Sequence, residues 1–267
     1  MATTLFQSFS ASLPTFQNIN PTAHLDASEN VTAATGINAP KFATKAAGYY
    51  LIGKTIISAA HVQTLLQSLY LAPVDPTTTH FSTADVFRSA SVYLLHPVNI
   101  ALSAYQPGGV RCMSETSASN TRIDALYLAG SPDRVFAVLE FKRRDVLKVN
   151  EFKLATKTAT TDAQVQALVQ TASNRPGASF FAGNALKIIK QAARYAIQHG
   201  TQYVALFDWG FLIMIRFVDL DVTQDDDTRV ANGVGTRCTI DMVSLLHSMK
   251  MRASLLGFLS EAYDNTP

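Results

Sequence analysis

Apolar positions recur along this chain with two different periods. Between Ile56 and Leu71, residues Val62, Leu65, Leu66 and Leu69 fall on one side of a helical wheel, and Leu186, Ile189, Ala193, Ala196 and Ile197 do the same between Asn184 and Gly200. Asn184 suits an N-cap and Gly200 a C′ position, so this second helix is bounded at both ends. Ser82 with Asp85 predicts a capped helix running to about Leu95, which His96-Pro97 should end or bend. A last helix is predicted over 241–263, with Leu245, Leu246, Met249, Leu255, Leu256 and Leu259 on its apolar side. Shorter runs have strand composition: Thr121 to Leu128, Arg134 to Phe141, Gln202 to Asp208 and Phe211 to Phe217, the last two joined at Trp209-Gly210. A further strand is expected around Val110 to Ser114.

Ala129 to Asp133 is turn chemistry, so the first two of those runs read as a hairpin. Opposed residues of an antiparallel pair have a constant sum, and a turn centred near Pro132 puts Asp124 opposite Glu140. Their Cβ atoms would lie about 4.5–5.5 Å apart, a distance at which two carboxylates repel unless a cation or a proton lies between them. Lys142, two residues on, shares that face. Leu126, Leu128, Phe136 and Val138 are its remaining members, while Leu139 and Phe141 face the opposite way. Both faces are apolar except at this one end, which predicts a doubly covered central pair of strands. On the Asn184 helix, Lys187, Gln191, Arg194 and Tyr195 share a second side.

An aspartate on one strand, Glu140-Phe141-Lys142 on the next, a helix carrying Gln191-x-x-x-Tyr195 and a following strand together resemble the PD-(D/E)XK nuclease superfamily. The resemblance is strongest to its RecB-like branch and to the nuclease-like domains common in fungal proteins, and it covers roughly residues 110 to 218. It implies an α/β fold with a restriction-endonuclease-like core, a mixed central β-sheet flanked by helices, and magnesium- or manganese-dependent cleavage of phosphodiesters. It also implies Asp124 and Glu140 as metal ligands, Lys142 as the lysine beside the attacking water, Gln191 as a catalytic helix residue and Glu115 as a further acid. Ile123 stands where the family name records a proline. The literal Pro132-Asp133 falls in the turn, and Asp133 is read as a turn residue. A second Glu151-Phe152-Lys153 has no apolar strand before it and reads as a solvated coincidence.

The chemistry accounts for these residue types. Magnesium prefers oxygen ligands and keeps several waters, so one or two carboxylates suffice. A bound ion neutralises phosphoryl charge and acidifies water. A lysine held beside it can orient that water, and a glutamine can fix a ligand carboxylate.

Charge sharpens the picture only locally. Lys+Arg total 22 against Asp+Glu 20, a net +2, so the chain is no polycation. Yet Lys142, Arg143, Arg144, Lys148, Lys153, Lys157, Lys187, Lys190 and Arg194 cluster around the motif in sequence. Arg122, Arg143, Arg144, Lys187, Arg194 and Tyr195 are therefore the candidate nucleic-acid contacts, with DNA preferred over RNA by the family's habit. Residues 1–50 form a low-charge N-terminal extension, loosely structured or a packing arm, and 51–267 the nuclease-like domain. The start lacks the pattern of a secretory signal and no apolar run approaches a membrane span, so an intracellular protein, cytoplasmic or nuclear, is expected.

Cys112 and Cys238 lie far apart, which fits free thiols in a reducing compartment. The histidines show no metal-ligand spacing, and Asp225-Asp226-Asp227 lacks the spaced ligands of a calcium loop. No P-loop, dinucleotide fingerprint or nucleophile elbow is present. Three readings follow: a metal-dependent nuclease, a catalytically inactive nuclease-fold protein that binds nucleic acid, and a protein-interaction module in which Glu140 and Lys142 are structural.

Overall fold

Among the described residues seven strands join in one mixed sheet. They are β1 (Phe42–Lys45), β2 (Val110–Ala118), β3 (Thr121–Ala129), β4 (Arg134–Phe141), β5 (Tyr203–Phe207), β6 (Phe211–Arg216) and β7 (Arg237–Ser244), in spatial order β1-β7-β6-β5-β4-β3-β2. The computed structural model describes residues 2–18, 36–74, 78–80, 82–106, 108–118 and 121–266, and of 115–118, 121 and 122 only the backbone. The β1/β7 and β4/β5 pairs are parallel and the other four antiparallel. Nine helices in the described residues complete an α/β fold: α1 (Tyr49–Ser58), α2 (Ala60–Ser68), α3 (Thr83–Ala90), α4 (His96–Tyr105), α5 (Val149–Ala155), α6 (Asp162–Ser173), α7 (Gly183–His199), α8 (Asp226–Asn232) and α9 (Met251–Asp264), beside a one-turn helix at Leu5–Ser8.

Each face of the sheet has its own core, as expected of strands that are apolar on both sides. One joins Tyr127, Phe136, Phe141 and Phe207 to α1, α4 and α9. The other joins Leu126, Val138, Leu206 and Ile213 to α5 and α7. Helices α1 and α9 touch backbone to backbone. A Cβ on Gly53 would lie 1.8 Å from the Ala253 carbonyl oxygen, and one on Gly257 would lie 1.9 Å from that of Tyr49.

Several elements differ from the sequence reading, each for a physical reason. The first helix begins at Tyr49 and breaks at Ala59, whose ψ of 128° leaves the helical region, so α1 and α2 replace one long helix. The Ser82–Asp85 capping box starts α3 as expected, but His96-Pro97 does not stop the chain. Ser91–Leu95 widens to a π turn, Pro97 falls in the first turn of α4, and the helix runs on to Tyr105. Over 241–263 the α-helix begins only at Met251, after a 3₁₀ segment at Leu245–Lys250. The first residues of that span finish β7 against β6, and Leu246 and Met249 are exposed rather than apolar anchors.

The hairpin carries a bulge. Ala125 pairs with Leu139 and Tyr127 with Ala137, but Leu128 pairs with Val135, leaving Phe136 as the extra residue. Phe136 therefore joins the α9 core instead of sharing a face with Val138. The low-charge N-terminal segment contributes Phe9, Leu13 and Phe16 to the core and supplies edge strand β1. Asp225 caps α8 through Thr228 N–H, so the acidic run opens a helix.

Candidate active site

Strand β4 delivers Glu140 and, one residue past its end, Lys142; β3 delivers Asp124; α7 crosses the same face and delivers Gln191 and Tyr195. Extending the Ala125–Leu139 register by one residue sets Asp124 level with Glu140. Asp124 Oδ2 accepts the Phe141 amide at 2.7 Å, which ties the end of β3 to the end of β4. Lys142 is held by its own backbone, whose N–H donates to Phe207 O on β5 at 2.8 Å.

Lys142 Nζ bridges two acceptors, Glu140 Oε1 at 2.7 Å and Gln191 Oε1 at 2.8 Å. Gln191 Nε2 donates to Tyr195 Oη at 2.6 Å and approaches Glu140 Oε1 at 3.4 Å. Glu140, Lys142 and Gln191 are 7%, 8% and 7% exposed, so this network works at low dielectric, where charges act strongly. The Tyr195 hydroxyl also bonds the Glu140 carboxyl group, yet one atom is left over: Glu140 Oε2 is buried and has no hydrogen-bond partner within bonding distance. Burial, opposed by Lys142 and reinforced by Asp124, pushes the Glu140 carboxyl from 4.5 up to about 7. Burial likewise pushes the Tyr195 phenol up.

The ends of α7 are fixed from outside the motif. Gly200 adopts φ 58° at the C-terminus, as its position in the sequence suggests. At the N-terminus Asn184 is not the cap; Ala182 occupies that position and Asn184 donates to Val146 O. The anion there is Glu151, whose Oε2 accepts the Ala185 amide at 2.8 Å. Glu151-Phe152-Lys153 is thus not a solvated coincidence. Phe152 is buried in the α7-side core, Glu151 braces the helix that carries Gln191, and Lys153 faces a different concavity.

Asp208 is a second supporting residue that sequence reasoning passed over. Fully buried after β5, it accepts amides from Leu147 at 2.8 Å, Gly210 at 3.0 Å and Phe211 at 2.8 Å. It pins the Arg143–Leu147 segment that follows Lys142. Burial pushes its carboxyl from 3.8 up to about 7 even against those donors. Its visible signal was an acid at the end of an apolar strand just before Trp209-Gly210.

The candidate nucleic-acid contacts sort unevenly. Lys187 and Lys148 are exposed, and Arg143 and Arg194 are half-buried. Arg144 Nη1 donates to Phe16 O at 2.7 Å, fastening the N-terminal segment. Lys157 stacks on Phe180 at 4.6 Å. Tyr195, 2% exposed, is packed and bonded to Gln191 rather than offered to a ligand. Arg122 and Glu115 lie on β3 and β2, and their side chains fall outside the described residues.

Among the described residues no group of three or more His, Cys, Asp or Glu could hold a metal ion. The donor set consists of two carboxylates, and it fits a hard cation that keeps most of its water rather than a zinc-type site. The unbonded Oε2 of Glu140, beside the second negative charge of Asp124, is where such a cation would lower the local energy. No helix among the described residues is long and apolar enough to cross a membrane. No protein-family model matches the chain, and neither does any curated protein or solved structure.

Proposed function

We propose that the protein is a metal-dependent phosphodiesterase of restriction-endonuclease-like architecture, acting on nucleic acid, DNA in preference to RNA. The observation that carries this reading is the buried, unbonded Oε2 of Glu140 in a cluster that already holds Asp124, a lysine and a glutamine. A buried carboxylate oxygen without a donor is costly, and a divalent cation is the partner that would also offset Asp124.

Asp124 and Glu140 would hold a magnesium or manganese ion. When bound, it supplies charge neutralisation at the phosphoryl oxygens and acidifies a water. Lys142, fixed by Glu140 and Gln191, keeps an ammonium at the site, where it orients the attacking water and opposes negative charge in the transition state. Gln191 holds that ammonium and, through Tyr195, fixes its own amide orientation. Exposed Lys148 and Lys187 provide the sequence-independent attraction to a phosphate backbone.

The test is incubation of the purified chain with linear DNA, plasmid and RNA in Mg²⁺, in Mn²⁺ and in EDTA, alongside Lys142→Ala. Cleavage that needs the metal and falls by about a hundredfold or more in the variant supports the reading. Equal cleavage by the variant, or no cleavage of any substrate, overturns it. Salt-sensitive binding without cleavage would select a nucleic-acid-binding module instead.

A further inference from the structure

A second concavity, of about 450 Å³, opens where the start of β6, the end of β7 and helix α5 meet the segment leading into α9. Asp124, Glu140, Lys142 and Gln191 do not line it. Its walls divide by chemistry. Tyr50 and Phe211 provide aromatic surface, Lys153 enters from α5, and His247 and Lys250 enter from the segment before α9. Among the described residues the only carboxylate on the lining is Asp241, and its Oδ1 already accepts the Met242 amide at 2.9 Å. Two ammonium groups from separate elements therefore outnumber one partly engaged acid, and the local field favours an anion.

The details narrow the class of anion. Ser244 Oγ lies 3.2 Å from His247 Nδ1, which steadies the imidazole. Lys250 Nζ stands 5.5 Å from the centre of the Tyr50 ring, so cation and aromatic face are presented together. Inorganic phosphate would fill a small part of this volume and leave the aromatic surface uncovered. The size is that of a small-molecule site, and polar and apolar residues share the lining about equally. We propose that the concavity binds a nucleotide, its base against Tyr50 and Phe211 and its phosphate between Lys153 and the His247–Lys250 wall. The nucleotide is either free or the phosphorylated end of a strand. The inference rests on this concavity's own groups and not on the hydrolytic reading.

The experiment is calorimetric titration of the full chain in EDTA, which prevents metal-dependent cleavage. The ligands are a nucleoside monophosphate, the nucleoside, inorganic phosphate, and a short oligonucleotide with and without a 5′-phosphate. The monophosphate or the phosphorylated strand should bind at least about tenfold more tightly than nucleoside or phosphate alone. Binding of the monophosphate alone assigns the site to free nucleotide; binding of the phosphorylated strand as well assigns it to a strand end. The double substitution Lys153→Gln/Lys250→Gln, at two exposed positions, should weaken binding about tenfold or more with unchanged circular dichroism. No binding by wild type at millimolar ligand, equal affinity for bare phosphate, or undiminished binding by the double variant overturns the proposal.

Discussion

Arg252 Nε donates to the carbonyl of Tyr93 at 2.6 Å, the carbonyl four residues before Pro97. In a continuous helix that acceptor would face the amide of residue 97, and proline has none to give. The same guanidinium donates through Nη1 to Ser8 O at 2.6 Å and Ala11 O at 2.9 Å, so one cation serves the π turn and the N-terminal segment together. Burial pushes its pKa down to about 10, and the side chain is 1% exposed. Arg252→Met keeps the volume but leaves buried carbonyls unpaired. It should lower unfolding stability by about 3 kcal/mol or more, read from urea melts, and should expose residues 8–11 to proteolysis first. A variant that melts like wild type would show that these bonds contribute little.

Gly53 and Gly257 set the distance between α1 and α9. Gly257→Ala places a methyl group inside the Tyr49 carbonyl and must push the helices apart, so a loss of roughly 1–3 kcal/mol or more is expected. Alanine is the better helix former by about 1 kcal/mol, which makes the sign diagnostic. A stabilised Gly257→Ala would contradict the backbone contact.

The Glu140 carboxyl links stability and metal binding to pH in opposite directions. Its folded pKa of about 7 lies above the unfolded 4.5, so the native state holds the extra proton. In metal-free buffer its contribution is present below about pH 4.5 and is lost as pH rises toward 7, at up to about 1.4 kcal/mol per pH unit. A cation competes with that proton. The Mg²⁺-induced rise in melting temperature should therefore be large at pH 8 and shrink as pH falls through 7. Glu140→Gln should flatten both trends. A metal shift of equal size at pH 6 and pH 8 would separate cation binding from this residue.

Gln191 tests whether orientation at the site matters beyond packing. Gln191→Ala removes the Lys142 acceptor and the Tyr195 donor. Cleavage should fall about 10–100-fold, with a smaller loss in Gln191→Asn than in Gln191→Ala. Parallel losses of activity and of melting temperature in both variants would reduce Gln191 to a packing residue.

Asp208 offers a test away from the motif. Asp208→Ala takes the acceptor from three amides, one of them buried and two half-buried, a loss of at least about 2 kcal/mol. Because it frees the segment after Lys142, amide exchange at Leu147 should accelerate. Unchanged exchange there would mean that the segment is held by other contacts.

Elements with local signals were legible in the sequence. The Thr121–Phe141 hairpin, the 184–200 helix and the Trp209-Gly210 connection each combine a period with its own punctuation, and together they bring Asp124, Glu140, Lys142 and Gln191 to one face. What stayed hidden depends on distant partners. Phe42–Lys45 is a strand only because β7 passes beside it. Arg237–Ser244 runs into leucines at helical spacing, and the helical pattern masked the strand. The Phe136 bulge depends on how the turn closes, and Glu151 acquires its role from Ala185, which no short-range pattern connects to it.

The parallel alignment of Phe42 with Arg237 fixes when the sheet can be completed. During synthesis this strand must wait, unpaired, until Arg237–Ser244 has also been made. Such late long-range closure slows folding and leaves an open strand edge in the meantime. Lys41 and Lys45, at either end of that strand, place positive charge along an edge that would otherwise template association between nascent chains.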